Sequence, residues 1–204
     1  MSADFQPPSQ TESQVRAALD ALANVVDAAH EGPFAQQVAS AAEMIVQALA
    51  NGNKVLTCGN GGSAADASHL AEELLGRYKQ SRMALAAICL CADGAALTCI
   101  GNDFGFMNVF SRQLEALGSE GDVLVVFTTS GRSENINRVL CAAREKQLRT
   151  ITVCGADGGE SAKLAELVVA VPSSDSARIQ EMHTFVLHSI CEECERRFAH
   201  DRDP

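Results

Sequence analysis

Apolar residues recur at helical intervals from Gln14 to Ala50, through Val15, Leu19, Leu22 and Val26 and then Val38, Ala42, Ile45 and Leu49, with a break at Gly32 and Pro33. Two helices are predicted there. Beyond them the pattern changes to short, β-branched runs at residues 54–58, 83–90, 122–128, 150–154 and 168–171. Several are apolar almost throughout, which suits strands buried on both faces. Helix-length segments fall between and after them at residues 63–77, 106–117, 133–146, 161–167 and 176–199. This alternation predicts an α/β three-layer sandwich, a five-stranded parallel sheet flanked by helices, preceded by an N-terminal helical extension. The extension is expected over residues 1–50 and the sheet domain over residues 51–204.

Ligands on parallel sheets collect at the carboxyl ends of the strands, so the loops there carry the candidate chemistry. The first, Cys58-Gly59-Asn60-Gly61-Gly62-Ser63-Ala64-Ala65, leaves a strand and opens a helix. Its glycines let backbone approach a ligand, and the helix start offers unpaired N–H donors and a positive dipole end. The same residues also make a tight turn with Ser63 as N-cap. Gly59, Gly61 and Ala64 further match the dinucleotide pattern G-x-G-x-x-A, with Asp93 after the second strand, although the interval to it exceeds the usual ~20 residues. The second loop, Thr128-Thr129-Ser130-Gly131-Arg132-Ser133, gathers hydroxyls, a glycine and a helix N-terminus, with Arg132 available to add charge. A phosphate monoester fits this loop; a Ser/Thr-rich turn capped by Ser133 is the alternative.

Charge narrows the partners. The chain has 204 residues and a formal net charge of −10, and without a basic run it offers no footing for nucleic acid, so an anionic ligand must be met locally. Residues Met1 to Gln10 lack a basic, apolar leader pattern, and no stretch of 18 apolar residues follows; a cytoplasmic protein that does not span a membrane is expected. The eight cysteines, among them Cys58, Cys89, Cys91, Cys99, Cys141 and Cys154, read as small buried hydrophobes, and the Cys191/Cys194 pair as packing.

Downstream of the first loop, His69 and Glu73 lie four residues apart on one helix face, with Glu72 expected to point elsewhere. His-x-x-x-Glu is a feasible half-site for a divalent metal, and equally a solvated helix face. On the last helix Gln180 and His188 are eight residues apart, a rise of about 12 Å. They share one metal only by reaching toward each other, by a bend, or from different subunits.

Together, Gly59 to Arg77, Gly101-Asn102-Asp103-Phe104-Gly105-Phe106, Thr129-Ser130-Gly131 and Arg178-Ile179-Gln180-Glu181 resemble the phosphoheptose isomerases of the SIS-domain superfamily, over roughly residues 40–198. The resemblance implies an SIS sugar-phosphate-binding domain and the conversion of sedoheptulose 7-phosphate to D-glycero-D-manno-heptose 7-phosphate. It implies one zinc per site on His69, Glu73, Gln180 and His188, and no nucleotide cofactor. Substrate contacts are implied for Asn60, Gly61, Gly62, Ser63, Glu73, Asn102, Asp103, Thr128, Thr129, Ser130, Ser133 and Gln180. Glu73 and His188 are the implied acid–base residues, in a homotetramer with active sites between subunits. Thr128 stands where the family usually has Ser, and Ala177 where an Asp often stands. A related branch binds the bacterial replication initiator and lacks the Glu and the last His; this chain has both, at Glu73 and His188. An isomerase for another ketose phosphate is the remaining alternative.

Overall fold

Five strands, β1 (Val55–Gly59), β2 (Ala87–Cys89), β3 (Val123–Phe127), β4 (Arg149–Gly155) and β5 (Leu167–Val171), form one sheet in the order β2-β1-β3-β4-β5. Every pairing is parallel. The computed structural model describes residues 9–199. β1 and β3 lie at the sheet's centre and are buried at all five positions, as their apolar sequences require. The chain leaves β1 toward β2 on one side and returns to β3 on the other, so the strand order reverses between them. Such a switch point opens a crevice at the strand ends. With Gly59 paired to Phe127, the two candidate loops leave the sheet side by side.

Helices fill both faces. On one lie α2 (Phe34–Ala50), α3 (Gly62–Leu75) and α8 (Ser176–Phe198), which share a core with Val55, Val125, Phe127, Ile151 and Val169. On the other, α5 (Ser111–Leu117) and α6 (Glu134–Glu145) close over Leu56, Cys58, Leu124 and Val126. Alternate residues of β1 and β3 thus point into opposite cores, which gives the three layers. The first helix, α1 (Gln10–Glu31), buries only Val25 and Ala29. Its Val15 and Leu19 face solvent.

Four elements depart from the sequence pattern. The predicted strand at 83–90 shrinks to the three residues of β2, because the chain before it is committed elsewhere. Buried Arg82 donates from its guanidinium to the carbonyls of Glu73 and Leu74, and the Leu85 N–H donates to Leu74, satisfying the open end of α3. Helix α4 (Gly94–Phe104) was not signalled by periodicity and buries no residue, so it carries no apolar stripe to read. The predicted 106–117 helix is divided into a 3-10 turn at Phe106–Asn108 and α5, after Gly105 at φ +84°. The segment at 161–167 keeps only the four helical residues of α7 (Ser161–Leu164).

Candidate active site

The helices α3 and α8 organise the polar residues on one face of the sheet. A Cβ on Gly62 would come within 2.5–2.7 Å of the Gln180 amide, so Gln180 lies over the start of α3. Seven residues on, the His69 ring meets His188 edge-on, with centroids 5.1 Å apart and planes at 87°. Beyond the end of α3, the Glu195 carboxylate accepts the backbone N–H groups of Tyr78, Lys79 and Gln80 at 3.0, 2.7 and 2.9 Å. These three levels match in order, so α3 and α8 run parallel, in step. Distant sequence segments are thereby aligned residue by residue.

At the middle level, His69 Nε2 is 3.4 Å from Glu73 Oε1, as the four-residue spacing requires. The Tyr78 ring covers His188 from the other side, 5.1 Å between centroids. Ligand atoms of His69, Glu72 and Glu73 lie within 4.8 Å of one another. Glu72, expected to point elsewhere, therefore belongs to the cluster: three residues from His69, its long side chain reaches the same side. Imidazole and carboxylate donors so grouped fit a divalent cation. Gln180 does not join them within one chain, since eight residues of helix hold it about 12 Å from His188 along the axis.

The strand-end loops form a second polar region. In the first, Gly61 at φ +57° is the N-cap and α3 begins at Gly62, so Ser63 is a buried helical residue rather than the cap. The Asn60 and Asn135 amides exchange two hydrogen bonds of 2.9 Å, tying the first loop to the start of α6. In the second, Thr128 Oγ1 accepts the Gly131 N–H at 3.2 Å and keeps its own proton to donate. Ser133 stands at the head of α6 with no side-chain cap bond, which leaves its hydroxyl to a ligand. Arg132 is paired with Asp157, both exposed, so its charge is already shared by a carboxylate rather than free for an anion. Thr129 is half-buried and Ser130 exposed at the loop surface.

Asn102 and Asp103 lie apart on α4, exposed, with Asn102 donating to Asp103 at 2.7 Å. Asp93, a possible ribose ligand in the dinucleotide alternative, instead caps α4, accepting from Ala95 and Ala96. Ala177 follows the α8 N-cap Asp175, whose carboxylate accepts the Ala177 N–H at 2.8 Å. Of the cysteines, Cys58, Cys154, Cys191 and Cys194 are buried as expected, but Cys99 and Cys141 are exposed and Cys89 and Cys91 half-buried. Cys141 sits on the outer side of α6 between inward-facing Leu140 and Ala142, and Cys99 on the unburied α4.

Comparison with known proteins decides the family. The SIS domain family model matches residues 15–155. A phosphoheptose isomerase of Campylobacter jejuni is 51% identical over 156 residues, covering 76% of this chain and 84% of that protein. The chain belongs to the phosphoheptose isomerases of the SIS domain family. Solved phosphoheptose isomerases from Neisseria gonorrhoeae and Francisella tularensis superpose with TM-scores of 0.86 and 0.88, at 39% and 33% identity, each covering 92% of this chain and 100% of the other. The protein is thus an isomerase, and the reading as a non-catalytic initiator-binding relative gives way. Among the described residues no helix is long and apolar enough to cross a membrane.

The isomerase also contains site neighbours that its sequence did not announce. Tyr78, Asn135 and Glu195 reach the site only through tertiary packing. So does the buried pair of His183 and Asp66, with Nδ1 3.3 Å from Oδ2, where His183 also packs on Phe127 and its Nε2 has no hydrogen-bond partner. For Asp66 a signal did exist: a carboxylate one turn before His69, on the face of α3 that an amphipathic helix turns inward.

Proposed function

We propose that this isomerase converts sedoheptulose 7-phosphate to D-glycero-D-manno-heptose 7-phosphate. The observation that carries the reading is the placement of His188 against the His69–Glu73 pair, since two proton carriers at one point are what a 1,2-shift of hydrogen needs. The strand-end loops bind the phosphate through backbone N–H groups, the hydroxyls of Thr128, Thr129, Ser130 and Ser133, and the N-termini of α3 and α6. Asn60, Gly61, Gly62, Ser63 and Gln180 line the sugar, and Asn102 and Asp103, which lie apart on α4 within one chain, reach it from a neighbouring subunit. Glu73 takes the proton from C1, and His188 delivers one to the C2 oxygen, so that an enediol forms and collapses to the aldose.

His69, Glu73 and His188, with Gln180, would hold one zinc, and Glu72 lies close enough to contribute. When bound, the ion supplies Lewis acidity toward the substrate carbonyl. The axial offset of Gln180 within one chain supports active sites that lie between the subunits of a homotetramer, with Gln180 contributed across the interface; a cytoplasmic location is part of the same proposal. Purified protein is assayed for loss of sedoheptulose 7-phosphate and appearance of the aldose, with and without a chelator. Turnover that disappears on chelation and returns with zinc is expected. A protein inert toward this ketose but active on a pentose ketose phosphate would contradict the substrate, and full activity after exhaustive chelation would contradict the metal.

A further inference from the structure

Two thiols stand where β2 ends, beside the first loop. Cys89 is the last residue of β2, and the turn after it closes with the Ala92 N–H donating to the Cys89 carbonyl at 3.2 Å. The Cys91 N–H points at the Cys89 sulfur, 3.4 Å away. The Cys91 thiol donates to the carbonyl of Gly59, the residue that leads into the Asn60–Gly62 cradle, also at 3.4 Å. Residues two apart across a turn fall within the Cα separation of roughly 4.4–6.8 Å that a disulfide accepts. Both thiols are half-buried and free, so a small oxidant reaches them.

We propose that Cys89 and Cys91 form a peroxide-responsive thiol pair that governs the first loop. The Cys89 sulfur attacks a hydroperoxide oxygen, the O–O bond breaks, and water or an alcohol leaves with the Cys89 sulfur oxidised to a sulfenic acid. The Cys91 sulfur then attacks Cys89, the S–O bond breaks, and water carries away the Cys91 proton as the disulfide forms. The Gly59 carbonyl loses its thiol donor, and the loop it anchors loosens. A thiol reductant restores both thiols.

The surroundings divide the roles between the two sulfurs. The Cys89 thiol is pulled down, first by its contact with the Cys91 side chain and then by the Cys91 N–H, against the opposing effect of burial. Cys91 is pushed up, by its neighbour Cys89 and by burial, and stays protonated as the resolving partner. Cys89 is therefore the thiol of the pair that ionises more readily, and its thiolate is the attacking form. Cys58 beside them is fully buried and pushed well above the usual thiol range by that burial, which keeps it out of the exchange.

The effect on turnover rests on the proposed role of the first loop; the thiol chemistry does not. Full-length protein is treated with hydrogen peroxide at pH 7, alkylated, digested and mapped by mass. The peptide holding Cys89 and Cys91 is expected to be lighter by two hydrogens and unalkylated, with turnover down about tenfold, the scale of one lost hydrogen bond, and recovered by dithiothreitol. Cys91→Ser should stop at the sulfenic acid, trapped on Cys89 by dimedone. Alkylation of both thiols after peroxide, with oxidation confined to exposed Cys99 or Cys141, would overturn the pair. A disulfide without change in turnover would overturn its control of the loop. Absence of turnover before any peroxide strikes the proposed function instead, and the mass map still reads the pair.

Discussion

The strand-end loops and the α3–α8 seam are both polar, yet they are built in opposite ways. In the loops the working parts are backbone: Gly61, Gly131 and the helix N-termini set the geometry locally, and side chains such as Thr128 trim it. In the seam the working parts are side chains, and their geometry is fixed by two parallel helices held in step from Gly62–Gln180 to the 78–80 turn on Glu195. On the proposed reading, the loops grip the phosphate and the seam sets which reaction follows. Recognition and chemistry would then be separable, each open to its own perturbation.

The largest separation is expected from Glu73→Gln. Removing the base should lower turnover by about 10³-fold while leaving sugar-phosphate binding, measured by calorimetry, within a few-fold of wild type. Loss of binding in equal measure would show that seam and loops are not independent. Next in size is Gly131→Ala, where a Cβ would lie 1.9 Å from the Gly158 carbonyl oxygen at φ +65°. Backbone has nowhere to yield, so destabilisation of about 3 kcal/mol is expected, a fall in melting temperature of roughly 10 °C. An unchanged melt would mean that the second loop does not pack against the backbone at Gly158.

Asp66→Ala strikes the support of the seam rather than its surface. It leaves His183 buried with no partner on either nitrogen, at an expected cost of about 2 kcal/mol in chemical denaturation. A neutral result would show that the pair contributes nothing to α3–α8 packing. The smallest effect belongs to Gly61→Ala, at φ +57° but with nothing within 4 Å of the new Cβ. Only the left-handed backbone resists, so about 1 kcal/mol is expected; a loss as large as that at Gly131 would contradict the open space above the first loop.

The same contrast explains what was legible in the sequence. The loops could be read because Gly59-Asn60-Gly61-Gly62 and Thr128 to Ser133 are contiguous, and strand-to-helix transitions flank them. The central strands could be read because burial on both faces forces an unbroken apolar run. Helix α4 could not, because it buries nothing and so shows no stripe. Nor could the seam: His69 and Glu73 are a local pair, but their meeting with His188 depends on the in-step packing of helices more than a hundred residues apart, which no spacing encodes. Resemblance to relatives pointed to His188 where periodicity was silent. Neither source pointed to Tyr78, which lies over His188 only because Glu195 holds the chain after α3 in place.

In the proposed reaction Glu73 and His188 move a proton between C1 and C2 of a ketose phosphate held by the loops. Turnover of sedoheptulose 7-phosphate in deuterated water, followed by proton NMR of the sugar, reads that transfer directly. Wild-type protein should place solvent deuterium at C2 of the aldose, and Glu73→Gln should place none over the same interval. Deuterium incorporation by Glu73→Gln at the wild-type rate would contradict the account.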